Sequence, residues 1–523
     1  MIRRLAIPGA VALALALLYL AAWKVAGPGN GSPAAATGAG QVVAITSVAR
    51  TCPPPGPNTG VAHIAMIARP GPQGQRAAGS ATAGVARLSA LPFTTGTAAS
   101  DAVSAKPDAT PPVTVSGPGT LTVTAVPAPA KYGSTTVTAT GAMAQGFEAE
   151  VSTGQGMGTV SCAHPGSDMW FIGTGTATGA PATRLYLMNA GPIPATVEVT
   201  ILTDSGIQQG LSAAITVGPG EYLWENVAQF TGGSQVQALH VQTSSGQVAA
   251  AVWQGPASGS GGAWLPQATA PAKLLVIPGL TTAGSAARLF IAVPGSVDAR
   301  VAVTALTAHG RYAPFGSTVQ DAPSGAATSL SLTSLGTSAA ALLLTSNVPI
   351  TAGIAVPGNG IGSFSAATAP VTEQGIIAGN PANGHVAVGL LLSALTDPVS
   401  ASVSVVPSAG GQSPQSSPQT VQVAAQHTVA ITVAPPPGSH DPFAIVVTPQ
   451  PGSGPLYAAR VVTSSGGLSG PLLSILPVQS ALTQITLAPT KDSYSAILPL
   501  LRKRGWRKPS RLPASVSRRR RGR

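Results

Sequence analysis

Charged and aromatic side chains are scarce in this 523-residue chain. Only 8% of the residues are charged and 4% are aromatic, with 15 acidic residues and seven histidines in all. The two histidines nearest in sequence, His427 and His440, are 13 positions apart, so no His-x-x-x-His pair of the kind that holds zinc is present. Acid–base catalysis needs titratable groups that are brought together. The composition therefore predicts a protein that is not an enzyme and that has no cofactor and no metal site.

The first 24 residues have the pattern of an export signal. Arg3 and Arg4 precede an uncharged stretch from Leu5 to Trp23. As a helix this stretch would extend about 28 Å, close to the thickness of a hydrocarbon core. Because arginine favours the cytoplasmic side, we predict a single-pass membrane anchor over residues 1–24, with the bulk of the chain outside the cytoplasm. A cleaved signal peptide, which would make the protein secreted, is the alternative.

Two cysteines, Cys52 and Cys162, are present in the whole chain. In an exported protein an even pair predicts a disulfide. It would close a loop of about 110 residues and, in the chain-entropy model, stabilise the fold by up to ~4–5 kcal/mol. Two unpaired buried thiols are the alternative.

The net charge of +12 comes almost entirely from the C-terminus, since eleven basic residues and no acidic one lie between Arg502 and Arg523. We predict a disordered basic tail over residues 491–523. Outside the membrane its partners would be anionic lipids or phosphate-bearing wall polymers rather than nucleic acid; a solvated tail without a partner is the alternative. The residues predicted to contact an anionic surface are Arg502, Lys503, Arg504, Arg507, Lys508, Arg518, Arg519, Arg520 and Arg521.

A sequence pattern recurs at intervals of about a hundred residues. The run Ala-Thr-Val-Glu-Val-Thr around Val197 returns as Ala-Arg-Val-Ala-Val-Thr around Val301 and as Ala-Ser-Val-Ser-Val around Val403, at spacings of 104 and 102 positions. A period of this length indicates tandem modules.

The modules have the pattern of β-strands. Val alternates with polar residues in short runs separated by Gly- and Pro-containing breaks, and about seven runs per hundred residues is typical of an immunoglobulin-like sandwich. We predict an all-β fold of tandem immunoglobulin-like β-sandwich modules after the anchor, with a β-propeller-like array as the alternative. The stretch 68–118, poor in pattern, is predicted to be a long loop. The predicted boundaries are a flexible spacer at 25–41 and β modules at 42–167 (closed by the disulfide), 168–273, 274–372 and 373–490.

The uncharged stretch 466–490 leaves a further alternative. Because it precedes the basic tail, it has some of the features of a second membrane span, which would place the tail in the cytoplasm. Its Gly, Pro, Gln and Ser residues argue against that interpretation.

Four of the six tryptophans lie in the second predicted module. Exposed indoles stack on sugar rings, so Trp170, Trp224 and Trp264 are predicted glycan contacts. Packing in the core is the alternative. Glu148 and Glu150 have the spacing that puts two carboxylates on one face of a strand.

Several short stretches resemble DUF5719, a family of actinobacterial secreted proteins of unknown function. The likeness rests on Trp253, on Gly262-Ala263-Trp264-Leu265-Pro266 and Val276-Ile277-Pro278-Gly279-Leu280, and on Cys52-Pro53, Ser161-Cys162 and Trp170-Phe171. It extends over roughly residues 40–490. The resemblance implies an envelope location and supplies no activity or catalytic residues.

Together these features predict an exported, membrane-tethered protein of the cell envelope with a structural or binding role, as a scaffold or adaptor. A cell-wall polysaccharide-binding accessory protein is the alternative. Protein partners are not indicated by the sequence.

Overall fold

A computed structural model describes most of the chain between Gln41 and Leu487. The described residues are 41–56, 62–70, 84–91, 93, 113–126, 133–153, 158–173, 182–208, 214–230, 237–255, 262–281, 287–314, 319–332, 340–356, 362–409, 416–464 and 472–487. The predicted anchor, nearly all of the spacer and the basic tail lie outside them. Within the described residues, no helix has the length and apolarity needed to cross a bilayer.

The chain divides into two units, Ala44–Ile485 and a smaller one formed by Met1–Val43 with Thr486–Arg523. Strand β1 (Gln41–Ala44) pairs with the last strand, β36 (Gln484–Leu487), in a two-stranded sheet. The first and last described strands are therefore neighbours.

The fold is all-β, which confirms that prediction. Val and Thr are β-branched and favour extended backbone, and the helical turns that the structure describes are the short 3-10 helices Gly141–Ala144 and Val227–Phe230. Besides β1 and β36, the strands form four consecutive groups, called segments 1 to 4.

Segment 1 contains β2 (Ser47–Cys52), β3 (Ala62–Ala68), β4 (Val85–Ala90), β5 (Thr114–Ser116), β6 (Thr122–Val126), β7 (Thr135–Thr140), β8 (Phe147–Ser152) and β9 (Val160–Ser161). Segment 2 contains β10 (Asp168–Ile172), β11 (Ala182–Asn189), β12 (Ala195–Thr203), β13 (Gly206–Gln208), β14 (Ile215–Val217), β15 (Glu221–Asn226), β16 (Ala238–Ser245), β17 (Ala249–Gly255), β18 (Ala263–Leu265) and β19 (Gln267–Ala268).

Segment 3 contains β20 (Ala272–Leu280), β21 (Ala287–Val293), β22 (Ala299–Thr307), β23 (Gly310–Tyr312), β24 (Val319–Ala322), β25 (Ala326–Leu332), β26 (Ala340–Val356) and β27 (Ser363–Ala366). Segment 4 contains β28 (Gly375–Asn380), β29 (Val386–Ala394), β30 (Val399–Pro407), β31 (Gln419–Val423), β32 (Thr428–Thr432), β33 (Phe443–Pro449), β34 (Leu456–Ser464) and β35 (Leu472–Pro477).

One prediction and one alternative about individual stretches are wrong. The stretch 68–118 is not all loop, because it contains β4 and β5, and β4 pairs with β7. The stretch 466–490 is not a membrane-spanning helix, because β35 and β36 lie in it and β35 pairs with β34.

All four segments share one pattern of strand pairing. Each has a sheet A and a sheet B, and the chain crosses repeatedly from one sheet to the other. In segment 4, sheet A has the order β31-β30-β33-β28 and sheet B the order β32-β29-β34-β35. Segment 1 repeats this as β5-β4-β7-β2 and β6-β3-β8-β9, and segment 2 as β13-β12-β16-β10 and β15-β11-β17-β18. In segment 3 the long strand β26 serves both sheets, pairing with β20 and β22 in sheet A and with β21 and β27 in sheet B.

Sheet B of each segment is buried on both faces. In segment 2, Leu185 and Leu187 of β11 belong to the hydrophobic cluster of their own segment, together with Val199 of sheet A. The alternate residues, Tyr186 and Met188, belong to the cluster that fills segment 1. Strand β11 is therefore apolar at consecutive positions, the pattern of a strand covered on both sides.

The same arrangement links every segment to the next. Phe290 and Ala292 of segment 3 join the cluster of segment 2, Leu391 and Val461 of segment 4 join that of segment 3, and Ala65 and Ile67 of segment 1 pack with Ile376 and Val446 of segment 4. Within the unit Ala44–Ile485 the order of contacts is thus cyclic, from segment 1 through 2, 3 and 4 back to 1.

Candidate functional site

The predicted disulfide between Cys52 and Cys162 is present. It joins the end of β2 in sheet A to the residue after β9 in sheet B, across a sequence separation of 110 residues and with the two Cα atoms 4.2 Å apart. Beside it, Thr51 and Ala163 exchange two backbone hydrogen bonds of 2.8 Å. The bond therefore ties the first sheet of segment 1 to the last strand of the second.

A buried ion pair lies next to this disulfide. The guanidinium of Arg50 donates from Nη2 to Glu148 Oε1 at 2.8 Å and from Nε to Glu148 Oε2 at 3.3 Å, and Nη2 also donates to the carbonyl of Phe147 at 2.8 Å. The two side chains are 3% and 8% exposed. A two-pronged pair of this kind holds both groups in one geometry, so Glu148 is an anchor for Arg50.

The second carboxylate of strand β8, that of Glu150, binds segment 4. It accepts backbone N–H bonds from Ala378 at 3.0 Å and Gly379 at 2.9 Å. Burial raises the pKa of Glu150, against the opposing effects of the Arg460 charge and the two amides. Arg460 is fully buried and donates to the carbonyl of Gly379 and the hydroxyl of Ser474, each at 3.2 Å. The carboxylate and the guanidinium therefore bind the same stretch of strand β28 in segment 4.

His164 is a titratable group in contact with this ion pair. Its Nδ1 lies 2.8 Å from Nη1 of Arg50. Because a guanidinium only donates, Nδ1 accepts and the ring is neutral. The residue as a whole is exposed to solvent, but desolvation of its ring and the charge of Arg50 lower the pKa of His164 to about 4, against a smaller opposite effect of Glu148.

We expect the protein to lose stability as the pH falls from about 6.5 towards about 4, because the unfolded chain takes up a proton at His164 that the folded chain excludes. Below a pH of about 4, His164 is protonated in both the folded and the unfolded protein. Further acidification then causes no further loss of stability through this residue. His164→Gln is expected to make the decline shallower, measured as the urea midpoint on both sides of this window. His385→Gln, at an exposed turn, is the matched control; equally steep declines in the two variants would contradict the assignment.

Two of the three tryptophans predicted to bind glycan are buried. Trp170 is 3% and Trp264 is 6% exposed, and Trp264 packs against Trp253 with ring centres 5.1 Å apart. A sugar ring stacks on an open indole face, so the prediction is wrong for Trp170 and Trp264. Trp224 is half-buried, with the Arg184 guanidinium 4.6 Å from its ring centre, and its role stays a prediction.

Polar side chains gather instead on the outer face of sheet A in segment 2. Asp168, Gln242 and Glu198 are directly opposite one another on β10, β16 and β12. All three are exposed. Two strand spacings separate the outer two, about 10 Å. The next row inwards is Trp170, His240 and Thr200, of which Trp170 is buried.

The two rows are joined by His240. Its Nε2 lies 3.0 Å from Asp168 Oδ1, and its ring stacks on Trp170 at 3.8 Å with planes 12° apart. Burial lowers the pKa of His240, against the opposing effect of Asp168. An ionised carboxylate only accepts, so neutral His240 donates from Nε2 and its Nδ1 is left as an acceptor. In the described part of the chain, no group of three or more His, Cys, Asp and Glu residues is placed to hold a metal ion.

The corresponding faces of segments 3 and 4 have other residues. Strands β12, β22 and β30 are each nine residues long, which aligns Glu198 with Ala302 and Ser402. The matching rows carry no carboxylate: they are Leu274, Thr345 and Ala302 in segment 3, and Thr448 with Ser402 in segment 4. The rows that correspond to Trp170, His240 and Thr200 are Val276, Leu343 and Thr304 in segment 3. In segment 4 they are Ile376, Val446 and Ser404.

Comparison with known proteins now identifies the family. A family model, described as a family of unknown function (DUF5719), matches residues 122–434, which is more than half of the chain. The chain belongs to DUF5719. A comparison with curated proteins finds no match.

The DUF5719 match runs from strand β6 of segment 1 to the residues just after β32 of segment 4. It includes Asp168, Glu198, His240 and Gln242. Arg50, Cys52 and Arg460 lie outside it. The polar face therefore falls within the part of the chain that defines DUF5719 membership, whereas the disulfide and the buried charges extend beyond it.

Sequence reasoning missed the polar face and the buried charges. One signal for the face was present in the repeat, since Glu198 stands where the second copy has Ala302. No local signal marks Arg50, whose partner Glu148 is 98 positions away, or Arg460, on which the charge of Glu150 acts from more than 300 positions away in sequence. Only the folded sheets bring those charges together.

Proposed function

We propose that this DUF5719 protein is an exported, membrane-tethered component of the cell envelope with a non-catalytic binding role, as a scaffold or adaptor. The observation that carries the export part is the disulfide of segment 1, because structural disulfides persist in oxidising compartments outside the cytoplasm. The arginine-led apolar stretch 5–23 supports the same location.

Tags at both chain ends test this proposal. On intact cells, added protease is expected to remove a C-terminal tag and to spare an N-terminal one. In permeabilised cells both tags become accessible, which controls for intrinsic resistance. A C-terminal tag protected in intact cells would overturn the proposal.

We infer further that each segment is a β-sandwich of immunoglobulin-like type. Sheets A and B contribute to a common cluster in each segment, and the pairs β29–β32 and β30–β33 match by order the B–E and C–F pairs of that sandwich. Two strands are exchanged, since β34 pairs with β29 rather than with β33, and β28 takes the place beside β33. Repeated crossing of the chain between two sheets favours the sandwich over propeller blades.

The basic tail supplies an anionic-surface contact in this proposal. A peptide of residues 491–523 is expected to bind vesicles containing phosphatidylserine. It is expected to dissociate from them as the salt concentration rises, because salt screens exposed charges. Replacing Arg518, Arg519, Arg520 and Arg521 by Gln is expected to weaken binding about a hundredfold or more, at about 1 kcal/mol per basic residue. Flotation measures this, with phosphatidylcholine vesicles as control. Salt-independent binding, or equal binding of the two peptides, would contradict it.

A second candidate function is cell-wall polysaccharide binding, favoured by one observation. Segment 2 carries an exposed row of carboxylate, amide and carboxylate at positions where segments 3 and 4 carry none.

A further inference from the structure

We propose that the outer face of sheet A in segment 2, formed by Asp168, Gln242, Glu198 and His240, binds an uncharged, hydroxyl-rich polysaccharide. This inference rests on the second candidate function and names its site and its ligand class. Four steps support it.

The first step is the scarcity of acidic residues. The chain has 15 in 523 residues, yet Asp168 and Glu198 occupy one cross-strand row of one sheet. The body of the protein has little other charge, so the pair is not part of a generally acidic surface.

The second step is the match between the side chains and hydroxyl groups. A carboxylate accepts hydrogen bonds at both oxygens, so one such group can take two neighbouring hydroxyls of a sugar. Gln242, between the two acids, both donates and accepts. Nδ1 of His240 adds an acceptor deeper in the face. Sites of this composition are selective because each polar group needs a partner once covered.

The third step is pre-organisation. His240 is fixed by its bond to Asp168 and by the ring of Trp170 beneath it. Trp170 is held in the core by its burial. A row of polar side chains on three paired strands is more rigid than one on loops, which lowers the entropy lost on binding. Among the described residues, the buried indole Nε1 of Trp170 has no hydrogen-bond partner.

The fourth step is charge. Two carboxylates repel anionic polymers, so the face is complementary to an uncharged chain, whereas the distant basic tail attracts anions. The two surfaces therefore take different ligands, and their binding can be measured separately.

Affinity electrophoresis of the full chain in detergent tests the proposal, with dextran, galactan, arabinan and mannan as the neutral probes and polygalacturonate as the anionic one. Wild-type protein is expected to be retarded by at least one neutral probe. Asp168→Asn combined with Glu198→Gln keeps the side-chain shapes and is expected to weaken that binding about tenfold or more. His240→Ala is expected to weaken it as well.

Matched controls separate binding from folding. Asp321→Asn removes an 85% exposed carboxylate of segment 3, and Thr345→Ala changes the residue equivalent to Gln242; both are expected to bind like wild type. Because the double variant changes only exposed atoms, its circular-dichroism spectrum and melting temperature should match those of wild type. No retardation by any neutral probe, or equal retardation of the double variant, would overturn the inference. Retardation by polygalacturonate alone, lost on deleting residues 502–523, would also overturn it, while the envelope proposal would still be decided by the protease experiment.

Discussion

Glu150→Ala is expected to lower the free energy of unfolding by about 3–5 kcal/mol, because it removes one partner of a buried charge pair. The guanidinium of Arg460 would remain fully buried without a counter-charge, and the amides of Ala378 and Gly379 would lose their acceptor. Among the described residues, the buried Nε of Arg460 has no hydrogen-bond partner, and the groups that accept from its other two nitrogens, the carbonyl of Gly379 and the hydroxyl of Ser474, carry no charge. Urea unfolding followed by tryptophan fluorescence measures the change.

Two further variants test the physical reason. Glu198→Ala, an exposed acid also on a central strand, is expected to change stability by less than about 0.5 kcal/mol. Glu150→Gln combined with Arg460→Met removes both charges and is expected to cost less than Glu150→Ala alone, since no buried charge is left uncompensated. A Glu150→Ala variant as stable as Glu198→Ala would show that the contact between segments 1 and 4 does not depend on this carboxylate.

Loss of the disulfide is expected to have a comparable effect. Replacing both Cys52 and Cys162 by Ala should lower the free energy of unfolding by about 4–5 kcal/mol, because the unfolded chain regains the entropy of a closed loop of about 110 residues. Urea unfolding of the variant, compared with wild type in oxidising buffer, measures the difference.

Reduction of the native protein supplies the control. Wild type treated with dithiothreitol is expected to unfold at the urea midpoint of the double variant, and the variant should not respond to the reductant. If dithiothreitol leaves wild type unchanged while free thiols appear on labelling, the bond contributes nothing to stability.

Local patterns were sufficient to predict the strand class and the disulfide. Val197 and Val301 occupy equivalent positions in β12 and β22, because alternation with polar neighbours is decided within a strand. In the third copy the equivalent residue is Ala401, and Val403 corresponds to Val199. The sequence repeat had matched Val403, rather than Ala401, to Val197 and Val301, an offset of two residues. The prediction of a strand was still correct, because positions i and i+2 lie on the same face of a strand.

The wrong predictions, for the buried tryptophans and for strand β4, have related physical causes. The first is that a sheet can be buried on both of its faces. Where both faces of a sheet are covered, alternation disappears, and exposure of a residue such as Trp264 depends on the neighbouring segment. Strand β4 was missed for a related reason: Val85–Ala90 is short and contains Arg87, and it is held by pairing with β7 about fifty residues later. Long-range pairing of this kind leaves no local trace.

The cyclic order of contacts has an evolutionary consequence. In open repeat proteins the terminal copies meet solvent on one side, so copies are gained or lost without disturbing the rest. Here every segment has two neighbours, and the hydrogen bonds from Ala378 and Gly379 to Glu150 join the first copy to the last. A duplication or deletion of one copy would leave an apolar sheet face without its covering neighbour on each side of the break. Relatives that share this closure are therefore expected to differ in the lengths of their connecting loops, while the number of copies stays fixed at four.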